Sequence, residues 1–387
     1  MLKCASAYTY ELDDLELAFK DIKAQLDDQV TLLDHTVGIV MCHSEFISSG
    51  ALKYICDNLP FDVVGVTSAS QVVNGDAGEL ILTLFIITAD DVRFKTGVTG
   101  SLLDGIDEPT GKAYLETTSG EPEPPGLALL FAPFLIEKYG GDAYIDAWKK
   151  IIPDTPFFGT LAIDDTVTFK DSETIYNGDS KNDVMPFIMC YGNINPRFFV
   201  SSLPEDKSFS IIAEVTNSKE NFVYEINKMP TRQFFAENGI PESMGTVPFV
   251  LDLKKRNDYD GVCVIAGNAT FSDDGAAVFY GYVDEGATFS LANFAPDDIL
   301  TSSRSEIEKI NTLPDANGAL LFPCVVRRMP LMSIHEPLSE LQIARETISP
   351  DVPFMMGYSG GQICPTSIRD GVPTNRFHSY SLIILVI

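Results

Sequence analysis

A threefold internal repetition constrains the fold more than any other feature of this sequence. Three nearly apolar segments begin at or next to a glycine: VGIVMCHSEF at 37–46, GLALLFAPF at 126–134 and GALLFPCVV at 318–326. Continuous apolar runs of this length are typical of strands that are buried on both faces of a sheet covered by helices. The sequence therefore predicts three copies of one unit, each built around a buried strand.

Each copy continues in the same order after its buried strand. A helical stretch follows, then a short apolar strand near a proline, and then another apolar strand. Strands that alternate with helices indicate an α/β architecture. The helical stretches are 48–58, 141–151 and 337–348, the second strands lie in 59–70, 152–165 and 349–361, and the last strands are 80–88, 184–190 and 381–387.

Segments upstream of the buried strands also match one another. Residues 9–26, 86–106 and 281–300 each run from a strand through acidic residues towards a helix. Asp14 and Pro296 suit the first positions of their helices, because Asp caps the free backbone NH groups and Pro has no NH to leave unpaired. We expect each repeat unit to open with such a strand–helix segment.

The predicted fold class is α/β, with repeated strand–helix–strand units that form mixed sheets flanked by helices, in two modules. We place the main division near residue 230, after the alternating segment 209–227, which is typical of a β-hairpin. Residues 1–230 would then hold two repeat units, and residues 231–387 would hold the third.

Charge and composition exclude several classes of protein. The chain has 27 basic and 55 acidic residues, a net charge of −28, which argues against nucleic acid and anionic membrane surfaces as partners. We see no transmembrane-length apolar segment and no signal-peptide core. Seven cysteines without a CxxC pair and four scattered histidines predict no metal site and no other cofactor. We therefore expect a cytoplasmic protein.

The order of several motifs resembles that of the FIST domain family over nearly the whole chain. In the N-terminal half, the similar segments are VGVTSAS at 64–70, FFGTLAIDD at 157–165 and the stretch 215–240, which joins the two modules. In the C-terminal half, they are ALLFPCVVRR at 319–328, GYSGGQICP at 357–365, with Gln362 where the family usually has Glu, and FHSYSLIILVI at 377–387.

This resemblance implies a bacterial sensory module in which a FIST N-terminal module precedes a FIST C-terminal one. It implies a non-catalytic protein in signal transduction. We expect it to bind a small metabolite that is amino-acid-like or another anionic or zwitterionic ligand. The protein would act alone or through a separate signalling protein.

The candidate ligand-binding residues lie in the last repeat, where residues 318–387 hold five arginines, no lysine and five acids. Ligands of α/β sheets bind beyond the carboxyl ends of strands, and an arginine fork suits a carboxylate. Two adjacent glycines would let backbone NH groups approach an anion. The set comprises Cys324, Arg327, Arg328, Tyr358, Gly360, Gly361, Gln362, Arg376 and His378.

Other interpretations of the same residues remain open. Arg327 and Arg328 could be solvated or paired with Glu340 or Glu346, and the cysteine, glycines and histidine could serve packing alone. At the level of function, an adaptor whose acidic surface binds a basic protein is one alternative to the sensor. A hydrolase that uses Cys324 is another, although no base or orienting acid stands at a convincing position.

Overall fold

Each predicted repeat forms the central part of a six-stranded mixed sheet with helices packed against it, and a fourth sheet is inserted into the third repeat. The predicted α/β class is thereby confirmed. These elements come from a computed structural model, which describes residues 1–166, 169–201, 213–240, 246–252, 263–291 and 294–387.

The first repeat shows why the sequence signals work locally. Asp14 caps helix α1, since its carboxylate accepts the backbone NH of Leu17 at 3.0 Å. Ala18, Ile22 and Leu26 recur every fourth residue on the buried face of that helix. The elements are β1 (Leu2–Thr9), α1 (Leu15–Gln29), β2 (His35–Cys42), α2 (Glu45–Ser48), α3 (Ala51–Asn58), β3 (Val63–Thr67), β4 (Gln71–Val73), β5 (Ala77–Gly78) and β6 (Leu82–Ala89).

The second repeat follows the same plan. Strand β8 is buried along its whole length, as its continuous apolar run predicts. The elements are β7 (Val92–Val98), α4 (Asp107–Thr117), β8 (Leu127–Ala132), α5 (Asp142–Lys149), β9 (Phe157–Leu161), β10 (Thr174–Tyr176), β11 (Asp179–Lys181) and β12 (Pro186–Gly192).

The third repeat is split by the inserted sheet. Its opening strand is β13 (Arg197–Ser201). The insertion contains β14 (Ala213–Lys219), β15 (Phe222–Ile226), β16 (Met229–Pro230), α6 (Thr231–Glu237), β17 (Thr246–Asp252), β18 (Cys263–Phe271), β19 (Ala277–Phe279) and β20 (Thr288–Leu291). The repeat then resumes with α7 (Pro296–Ile307), β21 (Ala319–Pro323), α8 (Arg328–Ser333), α9 (Ser339–Thr347), β22 (Phe354–Gly357), β23 (Gln362–Arg369), β24 (Val372–His378) and β25 (Leu382–Val386).

One pairing pattern relates the three repeats. In each, two parallel strands are joined by a crossover helix, as in β2–β3, β8–β9 and β21–β22. The first strand of each pair also bonds an antiparallel strand, β6, β12 or β25, whose other edge carries β1, β7 or β13. The predicted repetition is therefore confirmed in the order of its elements, and the three repeats also share one pattern of strand pairing.

One part of the predicted alignment is wrong. Residues 281–300 were expected to open the third repeat with a strand and a helix. The helix is correct, since α7 begins at Pro296, but β20 belongs to the inserted sheet. The equivalent of β1 and β7 is β13, which the insertion separates from α7 in the chain.

The three sheets exchange strands in a cycle. After its parallel pair, the first repeat sends β4 to pair with β22 of the third repeat. The third sends β23 to β9 of the second, and the second sends β10 to β3 of the first. Because every sheet contains a strand from another repeat, no repeat can complete its sheet alone.

The sheets lie inside and most of the helices lie outside. A core common to all three repeats packs between the sheets, where the ring of Phe158 stacks on that of Phe322 at 5.2 Å. A second large core lies under the helices of the second and third repeats and contains Trp148, Leu341 and Tyr358. Burial on both faces explains the continuous apolar runs.

The inserted sheet has the strand order β14-β20-β17-β18-β19-β15-β16 and its own small core, which includes Phe234 and Phe235. Its β14–β15 pair is the described part of the predicted hairpin, whose residues 209–212 lie outside the described residues. Strands on both sides of residue 230 pair in this sheet, so the division proposed there does not coincide with a boundary between sheets.

Candidate functional site

The third repeat encloses a charged pair between its helices and its sheet. Arg327, fully buried, lies in a 3₁₀ turn that follows β21. Its Nε donates to Glu340 Oε1 on α9 at 2.8 Å, its Nη1 to the Tyr380 carbonyl at 3.1 Å, and its Nη2 to Ser303 Oγ on α7 at 2.7 Å. The guanidinium thus ties both helices to the segment that leads into β25.

The helices of the other two repeats bury apolar side chains. Ile22 of α1 and Leu52 of α3 are buried under the helices of the first repeat, and Trp148 of α5 fills the second. A buried ion pair gains little stability over apolar packing, because both charges lose their hydration. The pair Arg327–Glu340 is therefore the feature of the third repeat that folding alone explains least.

Two buried polar atoms, one in this pair and one beside it, lack a hydrogen-bond partner among the described residues. Glu340 Oε2 and the Tyr358 hydroxyl form no hydrogen bond of good geometry with any residue that the structure describes. Burial and the nearby Glu340 carboxylate raise the pKa of Tyr358 well above its usual value, so its phenol stays neutral. The charged pair thus has a neutral hydroxyl as its neighbour on the loop after β22.

Gln362 joins two more of the predicted site residues. With its amide oriented to satisfy both ends, its oxygen accepts from Ser359 Oγ at 2.8 Å and Cys324 N at 3.2 Å, and its nitrogen donates to the His378 carbonyl at 3.1 Å. The Nε2 of His378 lies 3.0 Å from the Cys364 carbonyl. Burial lowers the pKa of His378 to about 4, so the ring is neutral and donates this bond.

The two glycines of the predicted site serve close packing. The Gly360 NH donates to the Leu161 carbonyl at 3.0 Å, so it is not free for an anion. A Cβ on Gly360 would lie 2.6 Å from Ile163 Cγ2, and one on Gly361 would collide with the Phe377 ring. Gly360 therefore needs glycine because the second repeat approaches closely, and Gly361 because Phe377 of β24 does.

The two remaining arginines point elsewhere. Arg328 is ion-paired with Glu79, which follows β5 of the first repeat. Arg376 lies half-buried on β24, opposite Cys364 of β23, and its charge contributes to the lowered pKa of His378. Neither arginine belongs to the hydrogen-bond network of Arg327.

The structure therefore brings five of the nine predicted residues into one buried cluster around Ser359. Glu340 occupies the place expected for a ligand carboxylate at Arg327, so direct contact with a ligand would require this cluster to open. We call these five residues the buried cluster: Cys324, Arg327, Tyr358, Gln362 and His378.

An open cleft lies on the outer side of the same two helices. It has a volume of about 460 Å³ and an apolar floor of Leu300 from α7 and Ile343 from α9. We call it the α7–α9 cleft. Its polar rim consists of Thr301, Arg304, Ser305, Glu308, Glu336, Ser339, Gln342 and Glu346.

Sequence reasoning missed this cleft. The rim residues alternate with apolar ones at helical spacing, a pattern that every solvated helix face shares. No local signal distinguishes them, since the cleft exists only because α7 packs beside α9.

The fold defines the class of protein: three linked α/β repeats, the third of which contains an inserted sheet. A family model for the FIST N domain matches residues 36–229, and a model for the FIST C domain matches residues 234–365. The chain therefore belongs to the FIST family, as the motifs predicted. No curated protein matches the chain. FIST domains are sensory modules of signal transduction and are in general non-catalytic.

Among the helices of the described residues, none is long and apolar enough to cross a membrane. Within the same parts of the chain, no three His, Cys, Asp or Glu side chains converge as metal ligands would.

Proposed function

We propose that this protein is a cytoplasmic sensor that binds a small zwitterionic metabolite, such as an amino acid, in the α7–α9 cleft. The observation that carries the proposal is that the cleft and the buried ion pair use the same two helices. Ser303 and Arg304 are consecutive on α7, as are Ser339 and Glu340 on α9, so each helix faces the cleft and Arg327 at once. No cofactor is needed for this role.

The charge of the cleft narrows the ligand class. One arginine and three glutamates give the rim a net charge of −2. Arg304 can hold a carboxylate through its planar fork, while Glu308, Glu336 and Glu346 favour an ammonium group. A zwitterion or a basic amino acid fits this rim, whereas a dicarboxylate would meet repulsion. Of the anionic and zwitterionic ligands expected from the sequence, we therefore propose a zwitterionic one.

The buried cluster offers a route for the signal. A ligand that bridges α7 and α9 changes how the helices pack, and with it the distances among Ser303, Glu340 and Arg327. Arg327 also holds the Tyr380 carbonyl, which precedes β25. A ligand shifts such an equilibrium only by its difference in affinity for the two arrangements, so a closely packed ion pair suits a two-state element.

Thermal unfolding with a panel of amino acids tests the ligand class. A ligand present at about 100 times its dissociation constant should add about 2.7 kcal/mol of stability. We expect neutral and basic amino acids to stabilise the protein and dicarboxylic ones to leave it unchanged.

Paired arginine variants test the location. Arg304→Gln should abolish the stabilisation, whereas Arg369→Gln, an exposed arginine on β23, should retain it. Stabilisation that persists in Arg304→Gln, or that dicarboxylates produce equally, would refute the cleft as the site.

Of the two alternative functions, the adaptor is compatible with our proposal and the hydrolase is not. A role as an adaptor for a basic protein is favoured by the net charge of −28 and is compatible with sensing. A Cys-dependent hydrolase needs a thiolate, and burial raises the pKa of the Cys324 thiol. We therefore propose no catalytic residue.

A further inference from the structure

The short helix α8 exposes an apolar patch beside the α7–α9 cleft. Met329, Met332 and Ile334 keep 49%, 53% and 45% of their surface exposed. We call these three side chains the α8 patch. It borders the cleft at Glu336, whose NH donates to the Leu331 carbonyl of α8.

Folding does not require the α8 patch to be apolar. Leu331 is buried and anchors the helix from below, and the ion pair of Arg328 anchors it to the first repeat. Single exposed apolar residues are common on protein surfaces, but three within one six-residue segment indicate a contact surface. Methionine suits such a surface, because its flexible side chain adapts to a partner.

The charges around the patch select the kind of partner. The nearby arginines are already neutralised, Arg328 by Glu79 and Arg345 by Asp76. The adjoining cleft rim adds a net charge of −2, with Glu336 at the edge of the patch. An apolar centre with an acidic border is complementary to a helix that carries apolar residues on one face and Lys or Arg at its margins.

We propose that the α8 patch is the docking surface for a basic amphipathic helix of a partner protein. A second copy of this chain is a poor occupant, since it would bring another charge of −28 to the same border. An anionic membrane is repelled for the same reason. The proposal names the class of signalling partner and does not depend on the ligand of the cleft.

A designed peptide provides the probe. It contains only Leu and Lys, spans about four helical turns, and places Leu on one face. A matched peptide carries Glu in place of every Lys. Fluorescence anisotropy at about 0.15 M salt, where long-range attraction is screened, measures both affinities. We expect the Lys peptide to bind and the Glu peptide not to bind.

Variants locate the binding. Met329→Ser/Met332→Ser should weaken the Lys peptide by about tenfold or more, because it removes the apolar anchors. Leu115→Ser on α4 of the second repeat is the matched control, since Leu115 is 71% exposed and lies outside the patch. Circular dichroism should show both variants folded, as none of the three side chains is buried.

Three results would each overturn the proposal: no binding of the Lys peptide to the wild type, equal binding by the Met329→Ser/Met332→Ser variant, or a wild-type dimer in light scattering that this variant abolishes. Equal binding would show that the overall charge attracts the peptide, and the dimer would make a second copy the occupant. Stabilisation by amino acids should be the same in the variant, so failure here leaves the cleft proposal standing.

Discussion

Replacing Arg327 with methionine would leave the Glu340 carboxylate buried without its counter-charge. Methionine keeps much of the side-chain volume, so the change removes charge and hydrogen bonds more than packing. Ser303 Oγ would remain as a partner of Glu340 at 2.5 Å, but a hydroxyl does not neutralise a carboxylate. Removal of one partner from a buried ion pair costs about 3–5 kcal/mol, and we expect about 4 kcal/mol here.

A double-mutant cycle separates the pair from its surroundings. Glu340→Gln keeps an oxygen that can accept from Arg327 Nε and Ser303 Oγ but leaves the guanidinium charge uncompensated, at a cost of about 2–3 kcal/mol. The double variant Arg327→Met/Glu340→Gln buries neither charge. Its cost should fall short of the sum of the single costs by about 2 kcal/mol, because residues in direct contact are not additive.

Urea unfolding followed by tryptophan fluorescence measures these free energies. Trp148 is the only tryptophan, and it lies in the same core as Leu341, the neighbour of Glu340 on α9. A loss below about 1 kcal/mol for Arg327→Met, or a cycle additive within about 0.5 kcal/mol, would show that the pair is weakly coupled and refute the reasoning.

Three further predictions test the packing and the protonation states. Gly159→Ala should cost about 3 kcal/mol, because a Cβ would overlap the Leu130 carbonyl of the neighbouring strand. Gly111→Ala, in open space on α4, should gain about 0.5–1 kcal/mol, and urea unfolding checks the opposite signs. The pKa of His378 is lowered to about 4 in the folded protein, so wild type should lose up to about 3 kcal/mol relative to His378→Gln as the pH falls from about 6.5 to 4. If unfolding at several pH values shows a constant difference in stability between wild type and His378→Gln, this prediction is wrong. Iodoacetamide should label Cys324 only after unfolding, since burial raises the pKa of its thiol. Labelled Cys324 in mass spectra of the native protein would contradict this.

The repetition could be predicted because burial leaves a direct mark on composition. Strands such as β8 and β21 are covered on both faces, so every position is apolar and the run is visible without an alignment. The cyclic exchange leaves no such mark. Strands β4 and β10 have three residues each, too few for any periodicity, and their partners lie in other repeats.

The inserted sheet also explains the one misplaced strand. From sequence, the segment before α7 resembled those before α1 and α4, because strands of any sheet share the same residue preferences. The true equivalent, β13, lies on the far side of the insertion. Only the pairing of β13 with β25 identifies it as the opening strand.

Sequence reasoning could bring together residues of the buried cluster, but it could not find the α7–α9 cleft or tell whether Arg327 is open to a ligand. Cys324, Tyr358 and Gln362 follow the carboxyl ends of β21 and β22, and such ends meet at one edge of a sheet. Whether Arg327 is open to a ligand depends on the packing of α9 against the sheet. The pairing of Arg327 with Glu340 was one of the alternatives that the residues alone could not decide.

The cyclic exchange gives the third repeat a position from which it can influence the other two. Tyr358 lies beside Glu340, and its NH donates to the Ser70 carbonyl of the first repeat at 3.2 Å. Two residues later, Gly360 donates to the Leu161 carbonyl of the second repeat. A shift of α9 that moves Glu340 therefore acts on a loop hydrogen-bonded to both neighbouring repeats. An apolar contact at Tyr358 could slide without breaking a bond, whereas a charged pair has two distinct states, bonded and unbonded. This difference gives a physical reason for a sensor to keep a buried ion pair in the third repeat.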